Sequence, residues 1–400
     1  MSETLKSSYK YVIVGGGVAA GYAVKGIRKV DPQGPILILS AESFPPFQRP
    51  ALSKGFWVNP DLAPSDTKTG VEDESQVTLK LNTPVKAVYP KQKKVEIAGQ
   101  RIAYDRLLLV PGTVAKNPLK GPEDDLVFNL KTLKDYQKLK RLSEKKKHVL
   151  LVGGGYIGTE LASALSQYQT PNTLIYPQAI LGEDLFPKPI AQQNQKLFTD
   201  HGVNLVSGRR AVSYRRAGKQ LVLKLDNGKE LSGDGIVVSL GSKPNLKLAK
   251  DSGLSLDNQG VVVDARFKTS APDIWAAGDI ASFPDVLLGQ VHLEHVDHAR
   301  NSGEVAGENM AGKKIFYKHI SYFYSLVFGF SWQALGKFGP DYQAIYDKRK
   351  GGTLVYFLQN SHLVGVLNWG LQVDLDDIRR LLKNPPAKEN LVGSLKEKKA

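Results

Sequence analysis

Seven consecutive positions, Glu294-His295-Val296-Asp297-His298-Ala299-Arg300, gather two histidines, two carboxylates and an arginine in a chain with only seven histidines. Such a set could hold a metal or move protons. His295 and His298 are three apart, so on a helix they share a face. As a metal site the cluster is poor, because Glu294, His295 and His298 on one helix leave no clear fourth ligand; no metal is expected. A stretch containing proline and glycine, residues 283–289, precedes the cluster, and residues 299–310 read as helical. The cluster therefore marks a helix start, where the partial positive charge favours an anionic partner. The chain has no cysteine. Thiol nucleophiles, disulfides, iron–sulfur clusters and cysteine zinc sites are thereby excluded.

The elements around this cluster repeat one plan. Residues 11–14 form a short apolar run, expected as a buried strand. Gly15-Gly16-Gly17-Val18-Ala19-Ala20 follows, then a helical pattern through Arg28, a second buried strand at 36–39, and Glu42. This is a dinucleotide fingerprint in its proper context of strand, glycine turn, helix, strand and acid. The first glycine makes the tight turn, the second lets the backbone approach a pyrophosphate, and Ala20 still allows close packing. Glu42 lies somewhat beyond the usual ~20-residue spacing but is placed to accept from a ribose hydroxyl. The plan recurs at residues 149–152, Gly153-Gly154-Gly155-Tyr156-Ile157-Gly158, a helix through Leu165 and a strand at 174–176. A lone glycine motif is weak; two in the same context imply two nucleotide sites. Each copy is also followed by a hairpin pattern and a strand leading to glycine, Gly112 in the first and Gly241 in the second.

At 400 residues, with 42% hydrophobic and 23% charged residues, the chain suits a protein of two or three domains with sizeable cores. No apolar run approaches ~18 residues, so no membrane span is expected, and the first apolar segment lacks a signal-peptide cleavage pattern. A cytoplasmic location is the expectation. The net charge of +15 fits scattered, solubilising lysines. It also fits attraction to an acidic partner: a nucleic acid, an anionic membrane or a small acidic redox protein. The lysine runs at Lys93-Lys94, Lys145–Lys147 and Lys396–Lys399 lie far apart and form no stripe with interleaved aromatics.

With two fingerprints in place, Thr269-Ser270-Ala271-Pro272-Asp273-Ile274-Trp275-Ala276-Ala277-Gly278-Asp279 resembles the second flavin motif of the FAD- and NAD(P)-dependent pyridine nucleotide oxidoreductases. The resemblance extends over about residues 10–382. It implies FAD at the first fingerprint, with Asp279 on the ribityl chain, and NADH or NADPH at the second. Pro46-Phe47-Gln48-Arg49-Pro50-Ala51-Leu52-Ser53-Lys54 resembles a motif of ferredoxin and putidaredoxin reductases, apoptosis-inducing factor and monodehydroascorbate reductases. It implies that Arg49 contacts FAD and that Lys54, paired with Glu160, lies beside the reactive flavin edge, where a cation stabilises negative charge on the reduced ring. The opening cluster resembles the corresponding stretch of plant monodehydroascorbate reductases, as do Tyr322-Phe323-Tyr324-Ser325 and Ser331-Trp332-Gln333. By that resemblance Glu294, His295 and Val296 line the flavin pyrimidine, while Arg300 and Tyr324 meet the electron acceptor.

The full set of implied FAD residues is Gly15, Gly17, Val18, Ala19, Ala20, Glu42, Arg49, Lys54, Val85, Gly112, Gly278, Asp279, Glu294, His295 and Val296. For the nicotinamide nucleotide it is Gly153, Gly155, Tyr156, Ile157, Gly158, Glu160, Tyr176, Gln178 and Gly241. By the resemblance, Gln178 stands where monodehydroascorbate reductases often have a glutamate; a carboxylate there would bind the ribose diol of NADH and repel the phosphate of NADPH, so weak discrimination with NADH slightly favoured is expected. There are departures: Leu326 replaces a basic residue after Tyr324-Ser325, Val110-Pro111-Gly112 replaces A-T-G, and the insertion of the plant enzymes after Lys54 is missing.

The expected fold is α/β, with two Rossmann-like dinucleotide-binding domains and a C-terminal α+β domain in a glutathione-reductase-like architecture. The FAD domain is expected at 1–114 and 242–312, the NAD(P)H domain at 115–241, and the last domain at 313–400 with a frayed lysine-rich tail. The expected activity is hydride transfer from NAD(P)H to FAD, then electron transfer to a non-disulfide acceptor. That acceptor is either a small molecule or an acidic ferredoxin- or rubredoxin-type carrier. A flavoprotein like apoptosis-inducing factor, binding DNA or a protein partner, is a third reading, resting on basicity alone.

Overall fold

Both glycine turns follow a buried apolar run, residues 11–14 and 149–152, in a strand that lies in the middle of its sheet between two parallel neighbours. The computed structural model describes residues 5–398; Lys399 and the outermost ends of the expected first and last domains lie outside them. The chain divides into two units. The first comprises Met1–Pro50, Leu62–Val114 and Lys243–Ser321, the second Ala51–Asp61, Ala115–Ser242 and Tyr322–Ala400.

In the first unit, strand Ser8–Val14 pairs in parallel with Ile36–Leu39 on one side and Gln100–Leu109 on the other. Ile274–Ala276 continues the parallel sheet beyond Gln100–Leu109. Strands buried on both faces read as near-continuous apolar runs, as Ile36–Leu39 does with ILIL. Helix Val18–Arg28 packs against helix Val296–Met310 at very short range. A Cβ at Gly303 would come 2.4 Å from the Ala19 carbonyl, and one at Gly307 2.1 Å from that of Ala23. The opening cluster is therefore fastened to the first fingerprint helix by backbone contact.

The second unit repeats the arrangement. Val149–Val152 lies between Asn172–Ile175 and Gly235–Val238 in a five-stranded parallel sheet. A five-stranded antiparallel sheet forms from Tyr322–Val327, Phe330–Gly336, His362–Trp369, Gly352–Gln359 and Gln343–Arg349. Phe186, Trp332, Phe357 and Trp369 bury the face of this sheet. Among the described residues no helix is long and apolar enough to cross a membrane.

Two local expectations are corrected. The first hairpin and the strand leading to Gly112 were expected as separate elements, but Gln100–Leu109 supplies both in one continuous strand. The polar pair Asp105-Arg106 that suggests a break sits where the strand emerges from the hairpin, before its fully buried end. The lysine-rich tail is not frayed up to residue 398. Leu391 and Leu395 are buried, the Lys398 N–H donates to the Gln372 carbonyl at 2.7 Å, and Arg349 Nη2 donates to the Leu395 carbonyl at 2.7 Å. Two leucines spaced by four anchor a segment that composition alone makes look solvated.

Candidate active site

Each fingerprint turn places its first glycine at positive φ, +129° at Gly15 and +114° at Gly153. A Cβ there would also collide with the Val110 and Ser239 carbonyls, at 2.1 and 2.3 Å. The turns therefore require glycine twice over. Beyond them, helices Val18–Arg28 and Tyr156–Gln167 start at Gly17 and Gly155 with no side-chain cap and no acid in the first turn. A Cβ at either glycine would meet nothing within 4 Å. Two uncapped helix ends facing open space form cradles suited to the pyrophosphates of FAD and of a nicotinamide nucleotide.

In the first unit three distant stretches converge on the first cradle. A Cβ on Gly278 would lie 3.1 Å from Ala19 Cβ and 4.0 Å from Ala299 Cβ, and the Gly278 N–H donates to Ser302 Oγ at 3.0 Å. Asp279 sits in the short 3-10 turn Gly278–Ile280, where His292 Nε2 approaches its carbonyl at 2.7 Å. Glu42 and Arg49 form an ion pair with each other, so two residues expected at FAD meet in one place. Val85 packs against the unit's core, and Gly112 has φ +68°.

The cluster does start a helix: His295 is the N-cap of Val296–Met310. His298 is fully buried, stacked on Phe283 with centroids 4.4 Å apart, and its Nδ1 meets Tyr317 Oη at 3.1 Å. Burial pushes its pKa down to about 3, and burial likewise holds His295 well below the usual histidine range. Both rings are neutral packing groups at pH 7. Glu294 is exposed at the helix entry. Arg300 turns its guanidinium to Gln48 of the proline-rich motif, with Nε at 3.0 Å and Nη2 at 2.6 Å from Gln48 Oε1.

The second unit holds the expected ion pair. Lys54 Nζ lies 2.7 Å from Glu160 Oε1, with side chains 12% and 3% exposed. Two residues that the sequence reading left without a role complete the set: Ser53 Oγ donates to Oε2 at 2.6 Å and Ser325 Oγ to Oε1 at 2.8 Å. A carboxylate taken out of water is stable only when its lone pairs are filled, and three donors do this here. Lys54 Nζ also stands 4.9 Å from the Tyr324 ring centroid. Both new serines lie in the motifs already quoted; nothing in the spacing marks them, because they come from segments 272 positions apart along the chain.

Around the second cradle, Tyr156 stacks on Phe323 at 5.6 Å and touches Trp332, and burial raises its pKa. Ile157 is 42% exposed, and Gly158 packs against the Gly153 carbonyl. Tyr176 is buried, which raises its pKa to about 12. Gln178 Nε2 donates to Asp184 Oδ2 at 2.8 Å, while Glu183 accepts from the Ala179 and Ile180 N–H groups. The loop that lacks a glutamate at 178 thus gathers two other carboxylates. Gly241 has φ +82°. Arg300 belongs to the first unit and Tyr324 to the second; each has a partner inside its own unit.

Two nucleotide cradles of this kind, one beside a buried lysine–glutamate pair, define a two-dinucleotide oxidoreductase. Residues 9–303 match the model of the pyridine nucleotide-disulphide oxidoreductases, and the chain belongs to that family. Its cofactors are FAD and a nicotinamide nucleotide. The chain is 34% identical to monodehydroascorbate reductase 2 of Arabidopsis thaliana, over 98% of both proteins. It is 30% identical to the ferredoxin–NAD(+) reductase component of a 3-phenylpropionate/cinnamic acid dioxygenase from Photorhabdus laumondii, over 94% of this chain and 96% of that one. In fold it is similar to a ferredoxin reductase from Rhodopseudomonas palustris, with TM-score 0.81, 23% identity and 91% of each chain covered. The disulphide in the family's description does not apply to the chemistry here, since the chain has no cysteine.

Proposed function

We propose that this NAD(P)H oxidoreductase passes electrons to a small non-disulfide acceptor, as the monodehydroascorbate reductases do by name. The observation that carries the reading is Glu160, buried with three donors and holding Lys54 next to Tyr324. Such a set serves a cofactor edge that must gain and lose charge. When bound, FAD takes a hydride from NAD(P)H and releases electrons to the acceptor. The protein's part is to bind, orient and tune. The first cradle, Asp279 and Arg49 hold FAD; the second cradle and the loop at Gln178 hold the nicotinamide nucleotide. Glu160 fixes Lys54 as a charged donor, the helix starting at Val296 presents its positive end, and Arg300 receives the acceptor's negative oxygen. The three-domain division at 1–114 with 242–312, 115–241 and 313–400 is part of this proposal, as is a cytoplasmic site of action.

The test is anaerobic reduction of the purified yellow protein by NADH, followed by mixing with a panel of acceptors. Rapid reoxidation by ascorbyl radical or quinones, insensitive to ionic strength, is the expected outcome; reoxidation by none of them refutes the reading. The net charge of +15 favours one second reading, an acidic ferredoxin- or rubredoxin-type carrier as acceptor. Steering of that kind weakens steeply with salt.

A further inference from the structure

Helix Val296–Met310 buries Ala299, Ser302, Gly303 and Ala306 and leaves Arg300, Asn301 and Glu304 partly exposed. Asp297, itself buried, lies three and four positions before Arg300 and Asn301, so the three lie along one side of the helix. His319, from the segment after the helix, docks on it. Its Nε2 lies 2.6 Å from Asp297 Oδ2. Asn301 Nδ2 ties down the other side of the aspartate, donating to the Asp297 carbonyl at 2.8 Å and to Oδ1 at 3.2 Å. Nε2 has two polar neighbours, Asp297 Oδ2 at 2.6 Å and Asn301 Nδ2 at 3.3 Å; Asp297 is an acceptor only and much the closer, so His319 donates through Nε2–H. That fixes the neutral tautomer and leaves Nδ1 as the edge that gains and loses a proton. Nδ1 has no hydrogen-bond partner among the described residues. The imidazole is 25% exposed, so water can restore its proton. Facing it are Asp297 and the neutral, buried His298 from the helix, Asp285 from strand Ala281–Asp285, and the Tyr317 ring at 6.2 Å. Burial raises the Asp285 carboxyl, and the charge of His319 opposes that rise.

We propose that His319, oriented by Asp297, is the proton donor to an organic acceptor bound at Arg300. The inference rests on the reading of Arg300 as the acceptor's anchor. For a quinone the balance is two electrons and two protons. The hydride taken from NAD(P)H brings both electrons and one proton. The Nδ1–H bond of His319 breaks to supply the second proton to the acceptor oxygen, and the imidazole recovers it from water. An iron carrier or ferricyanide takes electrons alone and has no use for this group.

The holoenzyme is assayed with NADH against p-benzoquinone and against ferricyanide. General acid catalysis contributes about 10²–10⁴-fold, so His319→Gln lowers the quinone rate at least about tenfold relative to the ferricyanide rate. In the unaltered enzyme that ratio falls as pH rises, and in His319→Gln it is flat. Equal losses with both acceptors, or an unaltered enzyme whose ratio ignores pH, overturn the proposal. A readout without turnover is nitrogen NMR of the protein labelled at histidine. His319 is expected as the Nε2–H tautomer, with the preference lost in Asp297→Asn; an Nδ1–H tautomer refutes the dyad. An enzyme that reduces neither acceptor refutes the oxidoreductase reading itself, a different result from active enzyme with an unchanged ratio.

Discussion

Replacing Glu160 by glutamine keeps the shape of the side chain and removes its charge. The Lys54 ammonium then stands 12% exposed with no counter-ion at 2.7 Å. At an effective dielectric near 20, a pair at that distance is worth about 6 kcal/mol of Coulomb energy. The glutamine oxygen still accepts from Lys54, and water reaching the ammonium recovers part of the rest. A net loss of about 3 kcal/mol is expected, the lower end for breaking a buried pair. Stability is read by urea unfolding followed through tryptophan emission, because Trp332 and Trp369 lie in the second unit's core. The same loss, if expressed at the step that charges the cofactor edge, is about a 150-fold fall in kcat with NADH. Ser325→Ala leaves Glu160 two donors and is expected to cost about 1.5–3 kcal/mol, as for a hydrogen bond to a charged group, while Ser325→Thr keeps the hydroxyl. If Glu160→Gln changes neither stability nor kcat by more than about 0.5 kcal/mol, the range of indifferent surface changes, then the carboxylate is not the organising group and the reasoning fails.

Arg300→Lys cannot reproduce the two bonds to Gln48 Oε1; KM for an anionic acceptor is expected to rise about tenfold, worth about 1.4 kcal/mol, with KM for NADH unmoved. His298 has a folded pKa of about 3 against an ordinary 6.5, so the unfolded chain takes up its proton first. Its stabilising contribution is complete above about pH 6.5 and is lost as pH falls towards about 3. Melting curves at pH 7 and 4.5 should diverge less in His298→Phe. Leu395→Ala, at a residue 3% exposed, is expected to cost about 2–4 kcal/mol; a loss below about 0.5 kcal/mol by urea unfolding would mean the tail is not anchored. Discrimination between NADH and NADPH is expected to stay below about a hundredfold in kcat/KM, about 2.7 kcal/mol; a larger preference would point to the carboxylates of Glu183 and Asp184 as its cause.

Most of the architecture was written in local pattern. A buried parallel strand is apolar at most positions, a pyrophosphate turn must be glycine where φ is positive, and the next helix must start without an acid. Those demands act over a dozen residues, so both cradles, both sheets and the helix start at the histidine cluster could be read from the chain alone. Absence was equally legible: without cysteine there is no disulfide chemistry. Where the sequence misled, it did so through composition. Asp105-Arg106 looks like a loop and lies inside a strand, and a lysine-rich tail conceals two buried leucines.

What the chain could not announce is which polar groups fill one another's hydrogen bonds. Ser53 and Ser325 have no pattern of their own, yet both complete Glu160. Gln48 is one more polar residue in a proline-rich loop until it is found holding Arg300 across 252 positions. His319 attracted no notice beside the paired histidines 295 and 298. The fold reversed their standing: the conspicuous pair is buried and neutral, while the solitary histidine is partly exposed and bound to a carboxylate. Residue types and short spacings determine strands, turns and caps because those interactions are local. The environment of an ionisable side chain depends on desolvation and on partners brought from hundreds of residues away, and only the tertiary structure supplies them.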